Sequence, residues 1–597
     1  MSAEDTGSYL SVFFNRAPIT FQDKSGFTAA SSKTMSLTKR KTTMQKHLAD
    51  ISWSQRFSQS FPCDPDARNT IRQVLGALYS KTQPTPVKNP QLLLWSDDLA
   101  QKLGLARPDP SSPSLQILGG NHIPQGMLPF ATRYGGHQFG HWAGQLGDGR
   151  AISLGEVAAP CSGTLWELQL KGAGPTPYSR HADGRAVLRS SVREYLASEA
   201  LFALGVPTTR ALSLVLTGEK VLRDMFYDGH PEWEPGAIVC RVSQSFLRFG
   251  HFEILRSCDE IPLMATLLDF VVRHFYPTLD PHDPKVAAEF FKDLCQRTAR
   301  LAAHWMRIGF VHGVLNTDNM SLLGETIDYG PFGFLDGFDP HWTPNTTDFE
   351  GRRYCFGKQP SVCKWNLARL GAALDPLIPD ADAERLLAEG LDLFDTVFQR
   401  EFYGTYARKL GLDQLPAHEQ QNMIMGVWRL LSSSEVDMTL FFGRMESWWR
   451  LFISQPQTDL EAPITSSMLE AIVADLPTLS YRNGLLRPDD DGPEGWKNWL
   501  GGLLHGWSLR LCRQRHDQEI DHEGRLFQRE NPQIVPRNYM LQEAIDGVMA
   551  GNLDLLTRLE RLLRRPYEPC AEFDPFQKKR PSWAETRPGC AMLSCSS

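Results

Sequence analysis

Asn319 and Asp328 offer an amide oxygen and a carboxylate on either side of a short stretch that reads as a hairpin turn, Met320 to Ile327. Two such oxygen donors suit Mg²⁺, or Mn²⁺ in its place, a hard ion that takes phosphate oxygens to complete its shell. The competing reading is that both residues only close turns. Asp318 is the carboxylate best placed to take a proton from a substrate hydroxyl. Upstream, Lys171 ends the apolar run Leu165–Leu170 and precedes Gly172-Ala-Gly174. A lysine there can meet phosphate, and Glu194 lies 23 residues on, at a distance that allows an ion pair.

The spacing has a precedent. His312 and Asn319 stand seven residues apart, and Asp328-Tyr329-Gly330 follows. This resembles the catalytic segment of protein kinases, H-R-D-x-x-x-x-N followed by D-F-G. Val314 occupies the place of the catalytic Asp, and a carboxylate appears four positions later at Asp318. His312 suits a structural part, hydrogen-bonding backbone. The metal-binding half of a phosphoryl-transfer site is present and the proton-accepting half has moved. Either the chain is an inactive kinase relative or it performs different chemistry with the same nucleotide.

Further cations and glycines surround these positions. Gly144-Gln-Leu-Gly147-Asp-Gly149-Arg150 precedes an apolar run, where backbone N–H groups and Arg150 could receive phosphate. A plain Gly-Asp-Gly hairpin turn explains the same letters. Asp183-Gly184-Arg185 with Arg180, Arg189 and Arg193, and later Arg241 and Arg248, supply cations suited to a triphosphate. Such arginines also decorate solvated surfaces. Ser191-x-x-Glu194 reads equally as a helix capping box.

The elements that must position these residues change character along the chain. Short apolar runs between Gly-rich turns (Ala151–Leu154, Leu165–Leu170, Ala211–Leu216, Ala237–Val242) predict strands, with one helix over Ser191–Leu204. From about 260 the periodicity is helical: Ala288–Ile308, Val362–Leu374, Ser433–Ile453 and Asn538–Leu563. The expectation is an α+β, protein-kinase-like two-lobed fold, strand-rich N-lobe then helical C-lobe, with a C-terminal helical extension. Residues 1–55 read as a disordered leader, 56–255 as the N-lobe, 256–460 as the C-lobe, 461–575 as the extension and 576–597 as a tail.

Composition narrows the partners. With 42% hydrophobic residues the chain can bury a large core, and a net charge of −7 argues against nucleic acid as the main partner. No apolar run reaches the length of a membrane span. The 11 cysteines show no CxxC pairs, which excludes the usual zinc spacings. From Lys24 to Ala49 there are six Lys or Arg and no acid, a composition that fits a mitochondrial presequence, although Glu4, Asp5 and Asp23 count against it. A plain leader, and with it a cytoplasmic location, is the alternative.

Laid out together, these residues resemble the selenoprotein O family of pseudokinases. The likeness covers Gly135 to Arg150, Leu170 to Arg180, Leu204 to Ser213, Phe246 to Glu253, His312 to Leu335, Gln359-Pro360, Trp365 to Leu370 and the terminal Cys595-Ser-Ser. It implies protein adenylylation: ATP held flipped relative to kinases, AMP passed to a Ser, Thr or Tyr hydroxyl of a protein, and pyrophosphate released. It further implies that Lys171, paired with Glu194, holds phosphates. Gly147, Gly149, Arg150, Asp183, Gly184, Arg241 and Arg248 would contact nucleotide, Asn319 and Asp328 would ligate Mg²⁺, and Asp318 would accept the proton. Cys595 stands where family members carry selenocysteine or cysteine, which makes it a redox candidate. Some bacterial members pair this tail residue with a Cys just past the D-x-G segment; Asp339 to Asn345 contains none, which leaves Cys355, Cys363 or Cys590. A mitochondrial location also follows from the eukaryotic members. A phosphotransferase, or an inactive nucleotide-binding scaffold with a redox-active tail, are the alternatives.

Overall fold

The computed structural model describes residues 45–594 apart from 227, 380–381, 413–415, 454–465, 483–491, 516–526, 528–529 and 569. The leader up to residue 44 and Cys595 lie outside the described residues. The chain is α+β, and most of its strands precede its long helices. The short β1 (Tyr79–Lys81) and the edge strand β2 (Gln91–Trp95) come first, then β3 (Phe130–Thr132). A separate hairpin, β4 (Gly135–Gln138) and β5 (His141–Gln145), leads into β6 (Ala151–Ala158) and β7 (Leu165–Lys171). After β8 (Ala186–Val187), the long strands β9 (Arg210–Arg223) and β10 (Glu232–Ser243) complete an eight-stranded antiparallel sheet. Its order is β1-β3-β6-β7-β10-β9-β2, with β8 beside β10.

Strand alternation sorts this sheet into two faces. In β7, Leu168 and Leu170 point to one side and join Ile152, Leu154, Ile238 and Val242 in an apolar layer. That layer is closed by Leu99 and Leu103 of α2 (Asp97–Leu103) and by Leu115 and Leu118 of α3 (Pro113–Leu118), which follow the short α1 (Arg56–Ser60). Each fully buried leucine contributes about 1.5–3 kcal/mol. On the opposite face the same strand presents buried Glu167, Gln169 and Lys171, toward α4 (Leu188–Ala203).

The helical part begins with α5 (Phe249–Ser257), α6 (Ile261–Phe275) and α7 (Val286–Ile308). Gly309, at φ 73, stops α7 and turns the chain into β11 (Phe310–Val311), which pairs with β12 (Gly333–Phe334). His312 to Asp328 is therefore a loop slung between two short paired strands. Then come α8 (Gln359–Leu374) and α9 (Ala383–Lys409).

The structure departs from the sequence reading in four places. First, α4 starts at Leu188, because β8 pairs with β10 through Val187 and the chain leaves the sheet there. Ser191 and Glu194 thus lie inside the helix, the Ser191 hydroxyl caps nothing, and the capping box is ruled out. Second, the helix expected over Ser433–Ile453 begins only at Met438, as α11 (Met438–Ile453), and Ser433 is the last residue of a separate helix, α10 (Ala417–Ser433). Glu435, at φ 46, lies in the turn between them, and Asp437 accepts from the Leu440 N–H at 3.0 Å to start the second. Third, beyond α12 (Ser466–Leu479) and α13 (Gly492–Arg515), the stretch Asn538–Leu563 divides into α14 (Asn538–Met549) and α15 (Asp554–Leu563). Gly551 at φ 80 makes that turn, and Asn552 accepts from the Asp554 N–H at 2.8 Å. Fourth, residues 45–55 belong to the fold: the Lys46 N–H donates to Gly104 and Ser54 pairs with Glu156.

Candidate active site

The polar face of the sheet and the loop between β11 and β12 meet in a buried cluster of charge. Lys171, at the end of β7, sets its Nζ 2.7 Å from the Glu194 carboxylate on α4 and 3.9 Å from Asp328. Arg241 lies opposite Gln169 in the β10–β7 register, on the same sheet face, and Arg248 immediately precedes α5. Both guanidinium groups donate to Asp328, one to each carboxylate oxygen. Burial alone would push the Asp328 carboxyl up, but Arg248, Arg241 and Lys171 outweigh it and hold the group well below the usual carboxylate range. Burial lowers the Lys171 ammonium, against the pull of Glu194 and Asp328. The pattern is the strand-lysine to helix-glutamate pair of kinases with the D-x-G aspartate beside it.

The cations are themselves held. Arg241 donates its other nitrogen to the Gln169 side-chain oxygen, Gln169 donates to Ser153 at 3.1 Å, and Ser153 donates to Glu167. Arg248 lies over the Tyr134 ring at 4.7 Å and donates to the Asp318 carbonyl at 3.0 Å. Asp328 sits in the left-handed region at φ 62, an uncommon backbone for a residue other than glycine and a form of strain often kept at functional sites.

Asp318 occupies a short 3-10 turn, Thr317–Asn319. The β4–β5 hairpin lies on it so closely that a Cβ at Gly136 would fall 2.7 Å from the carboxylate. Gln138 donates to one oxygen at 3.2 Å, and the other is buried with no hydrogen-bond partner. Desolvation raises the carboxyl to about 7. A carboxylate with an uncommitted oxygen, close to neutral, is chemically a proton acceptor. The His312 ring bonds within the loop, its Nε2 lying 2.9 Å from the Ile327 carbonyl, while its backbone N–H donates to Gln359 at 2.9 Å, and burial lowers the ring pKa.

The donor set fits a divalent cation. The Asn319 amide nitrogen donates to the Val314 carbonyl at 2.9 Å, so its oxygen is the atom available to a metal. Asp328 is ionised and keeps 22% of its side chain exposed despite its three cationic partners. No group of three or more His, Cys, Asp or Glu able to hold a metal occurs among the described residues. A cation here would depend on phosphate oxygens for the rest of its shell, as Mg²⁺ in nucleotide sites does.

The remaining sequence candidates divide. Arg150 is half-buried beside the Lys171 strand end, and its carbonyl accepts from Gly172 N–H at 2.7 Å. Gly147 and Gly149 pack against Tyr178, and a Cβ on Gly147 would come within 2.5 Å of that ring. The Asp148 and Gly149 N–H groups already donate to Thr132 and Gly147 carbonyls. Gly184 closes against Gly174, just after Lys171. Asp183 points away: it is exposed and paired with Arg223 at 2.7 Å. Gln138, Asp148, Ser153 and Gln169 belong to the site although sequence reasoning did not single them out. For Gln169 the signal was available, two positions before Lys171 on one strand face. The tail reaches the same region, for Leu593 pairs with Asn345, whose amide donates to the Gly313 carbonyl at 3.1 Å. Cys355 and Cys590 are buried thiols pushed up to about 11, and Cys363 is pushed up as well; all are free.

Comparison with known proteins decides the family. The family described as protein adenylyltransferase SelO matches residues 66–564. The chain belongs to the SelO family. Curated relatives carry the name protein nucleotidyltransferase YdiU. The one from Nitrosospira multiformis is 50% identical over 92% of this chain and 97% of its own length. Those from Aromatoleum aromaticum (47%, covering 91% and 98%) and Rhodopirellula baltica (46%, covering 92% and 99%) are similar. Among solved structures, a Toxoplasma gondii virulence factor described as having a protein-kinase fold and no enzymatic activity covers 55% of this chain and 87% of its own. At 14% identity and a TM-score of 0.21 that overlap is too slight to bear on the reaction. Like the rest of its family, this SelO chain is an enzyme, a protein adenylyltransferase that uses ATP and acts on proteins. No helix among the described residues is long and apolar enough to cross a membrane.

Proposed function

We propose that the chain transfers AMP from Mg²⁺-bound ATP to Ser, Thr or Tyr hydroxyls, with Asp318 as the proton acceptor. The observation that carries this is the uncommitted Asp318 oxygen, buried beside the Lys171–Glu194–Asp328 cluster. Lys171, Arg241 and Arg248 would meet the phosphates, and Glu194 keeps the lysine extended toward them. Asn319 and Asp328 would hold the metal, which supplies neutralisation of phosphate charge. Asp318 takes the hydroxyl proton as the acceptor oxygen bonds to the α-phosphorus. The bond from that phosphorus to the bridging oxygen breaks, and its electron pair leaves with pyrophosphate. Positioning and charge supply most of the rate, since the protein forms no covalent bond itself.

ATP labelled at either the α- or the γ-phosphate tests the reading. Protein-bound α-label without γ-label is the expected result. Transfer of γ-label would identify a phosphotransferase, and transfer of neither a nucleotide-binding scaffold.

A further inference from the structure

Two arginines beside the Asp318 loop differ from the other cations near the site. Arg353 places its Cζ 4.6 Å from the centre of the Trp365 ring, and Arg369 places its own 5.2 Å from the same ring. Neither guanidinium forms an ion pair among the described residues, and the Nε of each, like that of Arg241 and Arg248, is buried without a hydrogen-bond partner. By contrast, Arg241 and Arg248 are both committed to Asp328. Both side chains are half-buried, and two cations sharing one indole with no carboxylate partner among the described residues offer a site for an anion from outside.

The platform is tied to the reacting loop. Asn366, next to Trp365 on α8, donates to the Leu315 carbonyl at 2.9 Å, and Tyr354, next to Arg353, donates to Asn316 at 2.6 Å. The His137 ring meets Trp365 edge-on at 5.6 Å and Trp142 at 5.2 Å. Its neighbour Gln138 is the residue that touches Asp318. Trp142 is 39% exposed on the outside of the same hairpin. Aromatic and cationic groups therefore continue outward from the proton acceptor, on elements other than the strand and helix that carry Lys171 and Glu194. The basic stretch Lys24 to Ala49 of the leader has the wrong charge to cover them, since it contains no acid.

We infer that Arg353, Arg369, Trp365 and Trp142 form the docking surface for the acceptor protein, and that it selects segments carrying carboxylates near the target hydroxyl. The inference rests on the proposed reaction only in taking Asp318 as the point that the hydroxyl must reach.

Three fluorescent serine peptides, identical except for flanking Asp, Asn or Lys, would be titrated by anisotropy into the full chain without ATP. The Asp peptide should bind on the order of tenfold tighter than the Asn peptide, as charge-assisted bonds to guanidinium warrant, and the Lys peptide weakest. The double change Arg353→Gln with Arg369→Gln should erase the preference while ATP still raises the melting temperature as in the parent. Equal binding of all three peptides by the parent chain would overturn the inference without any variant. So would a folded double variant that keeps the preference. Selective binding without transfer of α-label would overturn the proposed reaction and leave the surface standing. Transfer to Asp and Asn peptides at equal rates would overturn the surface alone.

Discussion

Position 314 and position 318 divide the work that one aspartate does in a kinase. Val314 is buried, and its carbonyl orients the Asn319 amide. Asp318 lies between the kinase position and Asn319, immediately before that Asn, under the β4–β5 hairpin, where one oxygen has no partner. Asp318→Asn should lower kcat for AMP transfer by about 10²–10⁴-fold, the usual worth of a general base. ATP binding, measured as the shift in melting temperature, should stay within a few-fold, because Lys171, Arg241 and Arg248 are untouched. A variant with parental kcat would remove Asp318 from the reaction. The spacing of His312, Asn319 and Asp328 made the loop legible, since it depends on a few consecutive residues. The state of Asp318 was not legible. It depends on Gly136 and Gln138, which lie some 180 positions away in sequence and arrive only by tertiary packing.

At the scale of elements, β7 carries the clearest link between pattern and site. Its apolar alternation was readable, and so was the ion pair from its last residue to the following helix. The competing capping box could be dismissed only once β8 was seen to hold Val187 in the sheet. The later start at Met438 and the split at Gly551 were obscured because apolar residues continue across both points. The same strand also supplies a pH test. Burial raises the Glu167 carboxyl to about 7, against the hydrogen bond from Ser153. Between its ordinary value and about 7 the native state keeps a proton that the unfolded chain has released, so stability falls as pH rises through that window. Above about 7 the cost of the buried charge is fully present. Glu167→Gln keeps an acceptor for Ser153 and removes the charge. It should therefore stabilise the protein at pH 8, on the order of 3 kcal/mol at most, and change little at pH 4. Chemical denaturation at both pH values measures it; a gain equal at the two would show that burial does not raise the Glu167 carboxyl.

At the scale of the molecule, the division into lobes and a C-terminal extension reads differently once the core is traced. One continuous apolar cluster runs from Phe57 to Cys590 and includes residues of every segment between. Helices α14 and α15 pack directly on α4, the helix that carries Glu194. Next to Glu194, the buried guanidinium of Arg193 bonds to Asn538 at 3.3 Å and to the Phe332 carbonyl, with no carboxylate partner among the described residues, and burial lowers it to about 9. Asn538 in turn donates to the Cys590 carbonyl at 2.9 Å, and Arg537 meets Asp437 at 2.6 and 2.9 Å. Removing residues 531–597 would strip α4 of its outer cover and leave the buried charges of Arg193 and Asp437 without their partners. Loss of one partner from such a pair costs about 3–5 kcal/mol, comparable to the whole net stability of many domains. A chain ending at residue 530 should therefore lack a cooperative melt, and ATP should not raise its melting temperature, because Glu194 no longer has a fixed helix from which to hold Lys171. A soluble 1–530 chain with an ATP-dependent melting shift would mean that the terminal helices are an accessory and that the nucleotide site is braced by the sheet alone.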